Sequence, residues 1–251
     1  MRASFSIRRA AAEALGTFFL VLIGPGAATV NAYSGGQLGS VGIALAFAFV
    51  VTAMIHAIGH LSGAHINPAV TLGFWWARRF PAGEVLPYIL AQCSGAVAAS
   101  YALRGIFGSA GGLGATLPRV SPASAFAIEW LLSFALMFVI MAVATDERVA
   151  SGSAALAIGI TVGFCALMGG PVTGASMNPA RSLGPALAGN LWQEHWIYWV
   201  APITGMMVAA RVYELLRSTY PPPVPAGTVL GVQGPVPLPD GTTEGGGPHS
   251  S

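Results

Sequence analysis

The chain has 251 residues, of which 8% are charged and 54% hydrophobic, and its mean hydropathy is +0.68. A soluble domain carries about 25% charged residues, so the composition excludes a soluble enzyme or a nucleic-acid binder and calls for a multi-pass protein whose first partner is the lipid bilayer. The net charge is +2, and all eleven basic residues are arginine.

Crossing about 30 Å of hydrocarbon takes roughly 20 apolar residues. The first such run, at about 10–31, carries Glu13 near its start, in AAEALGTFFLVLIG. It is too long for a signal peptide and lacks a small-residue cleavage site. A second span, at about 38–58, leads into SGAHINPAV (62–70), with the tripeptide Asn67-Pro68-Ala69. The helix-compatible segment from Pro68 to about Ala77 is too short to cross. A third span is expected at about 84–107, and a fourth at about 124–144, with Glu129 near its start in AIEWLLSFALMFV. The fifth, at about 153–170, leads into TGASMNPAR (173–181), where Asn178-Pro179-Ala180 repeats the tripeptide at a spacing of 111 residues. A second short segment runs to about Ala188, and a sixth span covers about 196–216. From 218 to 251 the chain, with PPPVPAG and GPVPLPDG, has too few bulky apolar residues to offset its chain entropy, so a disordered tail is expected.

Each half therefore holds three spans and one Asn-Pro-Ala segment. Three is odd, so the second half enters the membrane in the opposite sense and the halves are inverted repeats, at about 8–110 and 122–217. The predicted class is an all-α membrane protein with six transmembrane helices and two re-entrant half-helices in a channel domain spanning 1–217. Arg2, Arg8, Arg9, Arg78, Arg79, Arg148 and Arg217 fall on one side, leaving Arg104, Arg119 and Arg181 for the other. The positive-inside rule makes the first side, with both termini, cytoplasmic, in a plasma or inner membrane.

Asn is a favoured N-cap and Pro a favoured first helical residue, so Asn-Pro-Ala is a helix start signal. Irregular backbone at membrane depth is tolerated only where it is buried in protein or lines a cavity. The two loops thus imply a pore, with two positive dipole ends meeting near the midplane and repelling cations. If each Asn oxygen caps its own helix, the amide nitrogens of Asn67 and Asn178 remain as donors to a passing water or hydroxyl. Extended backbone at Gly63, Ala64 and His65, and at Gly174, Ala175 and Ser176, would add a row of carbonyl acceptors. Such a path suits small neutral polar molecules and blocks proton relay.

Arg181 follows the second tripeptide where the first half has Val70. An intramembrane arginine is functional by default, and this break in symmetry makes it a pore-lining residue. Glu13 and Glu129 obey the symmetry and read as acceptors that hold the loop backbones. His60 reads as a structural histidine bonded to loop backbone, while His65 offers its carbonyl. Cys93 and Cys165 read as buried small apolar residues, and Trp192, Trp196, Tyr198 and Trp199 as an interfacial belt. No nucleophile with its base, metal cluster or phosphate loop is evident, so neither catalysis nor a cofactor is expected.

Both tripeptides, the arginine after the second and the acidic residues of spans 1 and 4 resemble the aquaporin, or major intrinsic protein, family over roughly 8–217. SGAHINPAVT and GPVTGASMNPARSLGPA are similar to its nodulin-like and bacterial branch. The resemblance implies a homotetramer with one pore per subunit and an outer filter at Phe47, Ala166, Ala175 and Arg181. Water-selective members carry histidine in the place of Ala166, so two alanines imply a wider opening for glycerol, urea or undissociated metalloid acids. Ser182 departs from the aspartate typical of glycerol channels, and Tyr198 with Trp199 look more like water channels, which keeps a strict water channel as the alternative. Inverted repeats with broken helices also describe coupled secondary transporters.

Overall fold

A computed structural model of the chain describes residues 6–146 and 152–218. The tail expected beyond Ser218, together with Arg2 and Arg148, lies outside the described residues. The elements in chain order are α1 (Ile7–Tyr33), α2 (Gly39–Ser62), α3 (Pro68–Trp76), α4 (Ala82–Phe107), α5 (Pro122–Thr145), α6 (Ala154–Thr173), α7 (Pro179–Gly189) and α8 (Ile197–Ser218). A short turn at Ala110–Gly114 joins α4 to α5.

Six helices have 20 to 27 residues, long enough at 1.5 Å per residue to cross a bilayer. Five of them are also strongly apolar throughout. The sixth, α8, carries Arg211, Glu214 and Arg217 toward its end. With 9 and 11 residues, α3 and α7 reach only about 14 and 17 Å, half the membrane thickness. Both begin as the tripeptides predict: the Asn67 side chain accepts from the Ala69 N–H, and that of Asn178 from the Ala180 and Arg181 N–H groups, with proline at the first helical position.

The packing repeats between the halves. In the first half α1 lies along α4, and in the second α5 lies along α8, while α2 against α6 joins the two. A Cβ on Gly95 would strike the Ala14 carbonyl oxygen, and one on Gly205 would strike that of Trp130 at 2.6 Å. Small residues let these backbones approach closely, a packing mode suited to lipid, where no hydrophobic effect drives helices together. The half-helices cross over, α7 packing on α4 and α3 on α8. Each loop is thereby anchored in the opposite repeat. Leu15, Phe19, Leu86, Leu90, Leu131, Leu156 and Ile160 point outward as a lipid-facing surface.

Two expectations change here. Tyr198 is fully buried, so it leaves the aromatic belt to Trp192 and Trp196, which are 44% and 51% exposed. His60 is exposed in the last turn of α2 and makes no hydrogen bond to the loop among the described residues. Helical register explains this, since His60 precedes the loop and faces away from it.

Candidate functional site

The two re-entrant loops have matching backbones. Gly63 and Gly174 end α2 and α6 in the left-handed region at φ of 89° and 95°. Ala64 and Ala175 follow at 48° and 42°, Ile66 and Met177 at 42° and 52°, and Asn67 and Asn178 at −161° and −151°. The loops are therefore not extended at Gly63, Ala64, Gly174 and Ala175. A left-handed glycine and alanine turn the chain sharply back into the membrane. Each left-handed non-glycine residue costs about 1–2 kcal/mol, so something must hold these loops.

Two buried carboxylates supply the hold. Glu13 accepts from the His65 and Ile66 N–H groups at 2.9 and 2.7 Å, and Glu129 from those of Ser176 and Met177 at 3.0 and 2.9 Å. The Ser62 hydroxyl donates to Glu13 and accepts from the Ala64 N–H, and the Thr173 hydroxyl does the same between Glu129 and Ala175. Tyr88 and Tyr198 donate to the carbonyls of Ser62 and Thr173 at 2.8 and 2.7 Å. Bonds to an ionised carboxylate are about twice as strong as neutral ones such as those of the tyrosines. The hydroxyl brackets lie outside the tripeptides. The 111-residue spacing pairs Ser62 with Thr173 and Thr71 with Ser182, hydroxyl for hydroxyl, which is the signal by which they could have been found.

At the midplane the loops grip each other. The Asn67 amide donates to the Met177 carbonyl at 2.8 Å, and the Asn178 amide to the Ile66 carbonyl at 2.9 Å. One N–H of each amide is thus consumed by the opposite loop, leaving one rather than two for the lumen. Both asparagines still line the cavity there, which has a volume of about 120 Å³.

The halves differ in their side chains. His65 Nδ1 lies 3.1 Å from the Thr71 hydroxyl, with the ring among Phe74, Phe80 and Tyr88. Its counterpart Ser176 contacts Ser182 at 2.5 Å, and Thr116 donates to Ser182 at 2.8 Å. Gln92 donates to Glu13 and Thr71 in the first half. Arg181 is 4% exposed, donates to the Gly114 carbonyl at 2.8 Å and lies 5.2 Å from the centre of the Phe47 ring. Its Nε–H has no hydrogen-bond partner among the described residues. Gly24 makes room for that ring, because a Cβ there would fall inside it.

Three cavities lie in series. Phe47, Ala166 and Arg181 line both the central lumen and a vestibule of about 380 Å³ on the Arg119 side, outer in the orientation the arginines predict, and so form the neck between them. Ala175 lies on the lumen side of the neck and Gly174 on the vestibule side. Gly63, His65, Phe74 and Ala144 are shared by the lumen and an inner vestibule of about 500 Å³, beside Arg79 and Asp146. Between the two necks the wall is mostly apolar, with Val51, Ile55, Leu136, Ile140, Ile158 and Val162 facing the polar strip of Ala64, His65, Ser176 and the two asparagines. Among the described residues no group of acidic, histidine and cysteine side chains could hold a metal. Outside the spans, partial burial keeps the His195 imidazole below its ordinary range. That suits a neutral ring whose Nε2 accepts from Trp199 at 3.2 Å.

Comparison with known proteins agrees with this geometry. The profile of the major intrinsic protein family matches residues 1–213. The chain belongs to the major intrinsic protein family. Aquaporin NIP1-1 of Oryza sativa subsp. japonica is 44% identical over 217 residues, covering 86% of this chain and 76% of the relative. Nodulin-26 of Glycine max is 42% identical, covering 86% and 80%. Among solved structures, the X-ray structure of the aquaglyceroporin from Plasmodium falciparum superposes with a TM-score of 0.73 at 28% identity, covering 83% of this chain and 95% of that one. This major intrinsic protein is a multi-pass membrane protein and a passive channel for water and small neutral solutes.

Proposed function

We propose that the neck formed by Phe47, Ala166 and Arg181, with Ala175 beside it, is a selectivity filter wide enough for glycerol-sized solutes as well as water. The observation that carries this reading is that the same three residues line the vestibule and the lumen, so any solute passes between them. Two of the four side chains are methyl groups. Arg181 offers donors to a hydroxyl and repels cations, while the Phe47 ring gives an apolar partner to a carbon skeleton. Glycerol, urea and undissociated boric or arsenous acid have this mixed character.

Farther in, the remaining N–H of Asn67 and of Asn178 orients a passing oxygen, and the starts of α3 and α7 add about half a positive charge each. Protons and cations are excluded on that account. The carbonyls of Gly63, Ala64, His65, Gly174 and Ser176 serve as acceptors along the path, and Glu13 and Glu129 hold the loops without touching solute. The protein works as a homotetramer in a plasma or inner membrane, with both termini and the 218–251 tail in the cytoplasm and the Arg119 side outside. Catalysis plays no part.

Ala166→His tests the filter. The imidazole should lower glycerol flux about tenfold and water flux by less than about twofold, since a pocket that loses a few ångströms rejects the larger solute first. Equal losses of both, measured by stopped-flow light scattering on proteoliposomes, would remove Ala166 from the filter.

A further inference from the structure

The outer vestibule carries two guanidinium groups on its wall. Arg119 and Arg181 both line it, and none of its lining residues is acidic. Arg119 is exposed, and its guanidinium has no hydrogen bond or ion pair among the described residues, although its backbone N–H is fixed to the Val172 carbonyl at 2.9 Å. Arg181 is almost wholly buried, with Nε unpartnered. The charge of Glu129 acts on Arg181 from the buried side, but its oxygens are spent on Thr173, Ser176 and Met177, and it lies outside the vestibule lining. Two further donors face the same space: the Ser40 hydroxyl at the start of the 24-residue helix α2, and the Asn31 amide, whose oxygen is occupied by the Leu38 and Gly39 N–H groups.

We infer that this vestibule is a binding site for small carboxylates, which sit between Arg119 and Arg181 and plug the channel from that side. A guanidinium presents a planar fork that matches a carboxylate, and a cavity of about 380 Å³ holds a three- or four-carbon acid with some of its water. The anion stops there. Below Arg181 the lumen narrows to about 120 Å³ with mostly apolar walls, and stripping an ion of water against such walls costs several kcal/mol per charge. A neutral solute meets no such barrier and passes. The inference uses the vestibule's charge and does not depend on which neutral solutes the filter admits.

Malonate is the probe, at a pH of about 8, where both carboxyls are ionised. Sodium chloride of equal ionic strength and uncharged malonamide serve as controls for screening and size. Malonate should raise the unfolding temperature of the detergent-purified protein by about 2–4 °C. Added to the outer face of vesicles with one orientation, it should roughly halve water permeability at concentrations near its Kd. Neither control should do either. Arg119→Ala should keep its basal water flux and lose both responses. The inference is overturned if malonate acts no more strongly than the controls, if Arg119→Ala responds like the natural protein, or if binding is seen without any block. Absent basal water flux would instead count against the channel reading, and the unfolding shift would still decide the anion site.

Discussion

The first and second re-entrant loops share one frame and differ in what it carries. Both are held by a buried carboxylate, a hydroxyl and a tyrosine, and both pass through left-handed residues into an asparagine cap. In the first loop this frame carries the side chain of His65 in an aromatic nest, and Val70 follows the tripeptide. In the second it carries Ser176 in a chain of hydroxyls, and Arg181 follows at the outer neck. The shared part builds the pore and the unshared part gives it two unlike ends. Symmetry in this molecule marks structure, and departure from it marks chemistry.

The largest expected effect tests whether the frame is symmetric. Glu13→Ala and Glu129→Ala each strand two buried N–H groups and release two strained residues, so each should cost about 3–5 kcal/mol, measured as lost thermal stability in detergent. Severe damage from one and little from the other would show that the frame is not shared. A smaller effect is expected from Arg181→Val, which gives the second loop the residue of the first. Stability should fall by about 1–3 kcal/mol, because the Gly114 carbonyl loses its donor while the main-chain bonds of the loop survive. Ion leak across proteoliposomes should rise about tenfold as the repelling charge is lost. An unchanged leak would remove Arg181 from ion exclusion. Smallest of all, Tyr88→Phe and Tyr198→Phe should each cost about 1 kcal/mol by losing one hydroxyl donor to a loop carbonyl. Unequal costs would point to a tighter bracket around one loop.

Much of this frame is legible in the sequence, because its signals are local. Asn-Pro-Ala states a helix start in three residues, the apolar runs state the spans, and an odd number of spans per half states the inversion. What escapes is contact made at long range. Tyr88 and Ser62 meet only because α2 and α4 both pack on α1, and nothing near either residue announces it. The handedness at Ala64, Ile66, Ala175 and Met177 is invisible for a different reason. These residues have no intrinsic preference for that conformation, and the carboxylates impose it from another helix. Gly114 lies in a glycine-rich connection with no motif to single it out, yet its carbonyl receives Arg181. The cross-grip of the asparagines is likewise a tertiary fact, and it halves the donors that local reasoning assigns to the lumen.

Parallel stopped-flow measurements of water, glycerol, urea and arsenous acid flux through proteoliposomes test the central claim most directly. The account predicts that all four cross much faster than in empty liposomes, without saturation and without regard to imposed ion gradients. Fast water with glycerol at the rate of bare lipid would contradict the open filter, and flux that saturates or collapses with an ion gradient would contradict the channel itself.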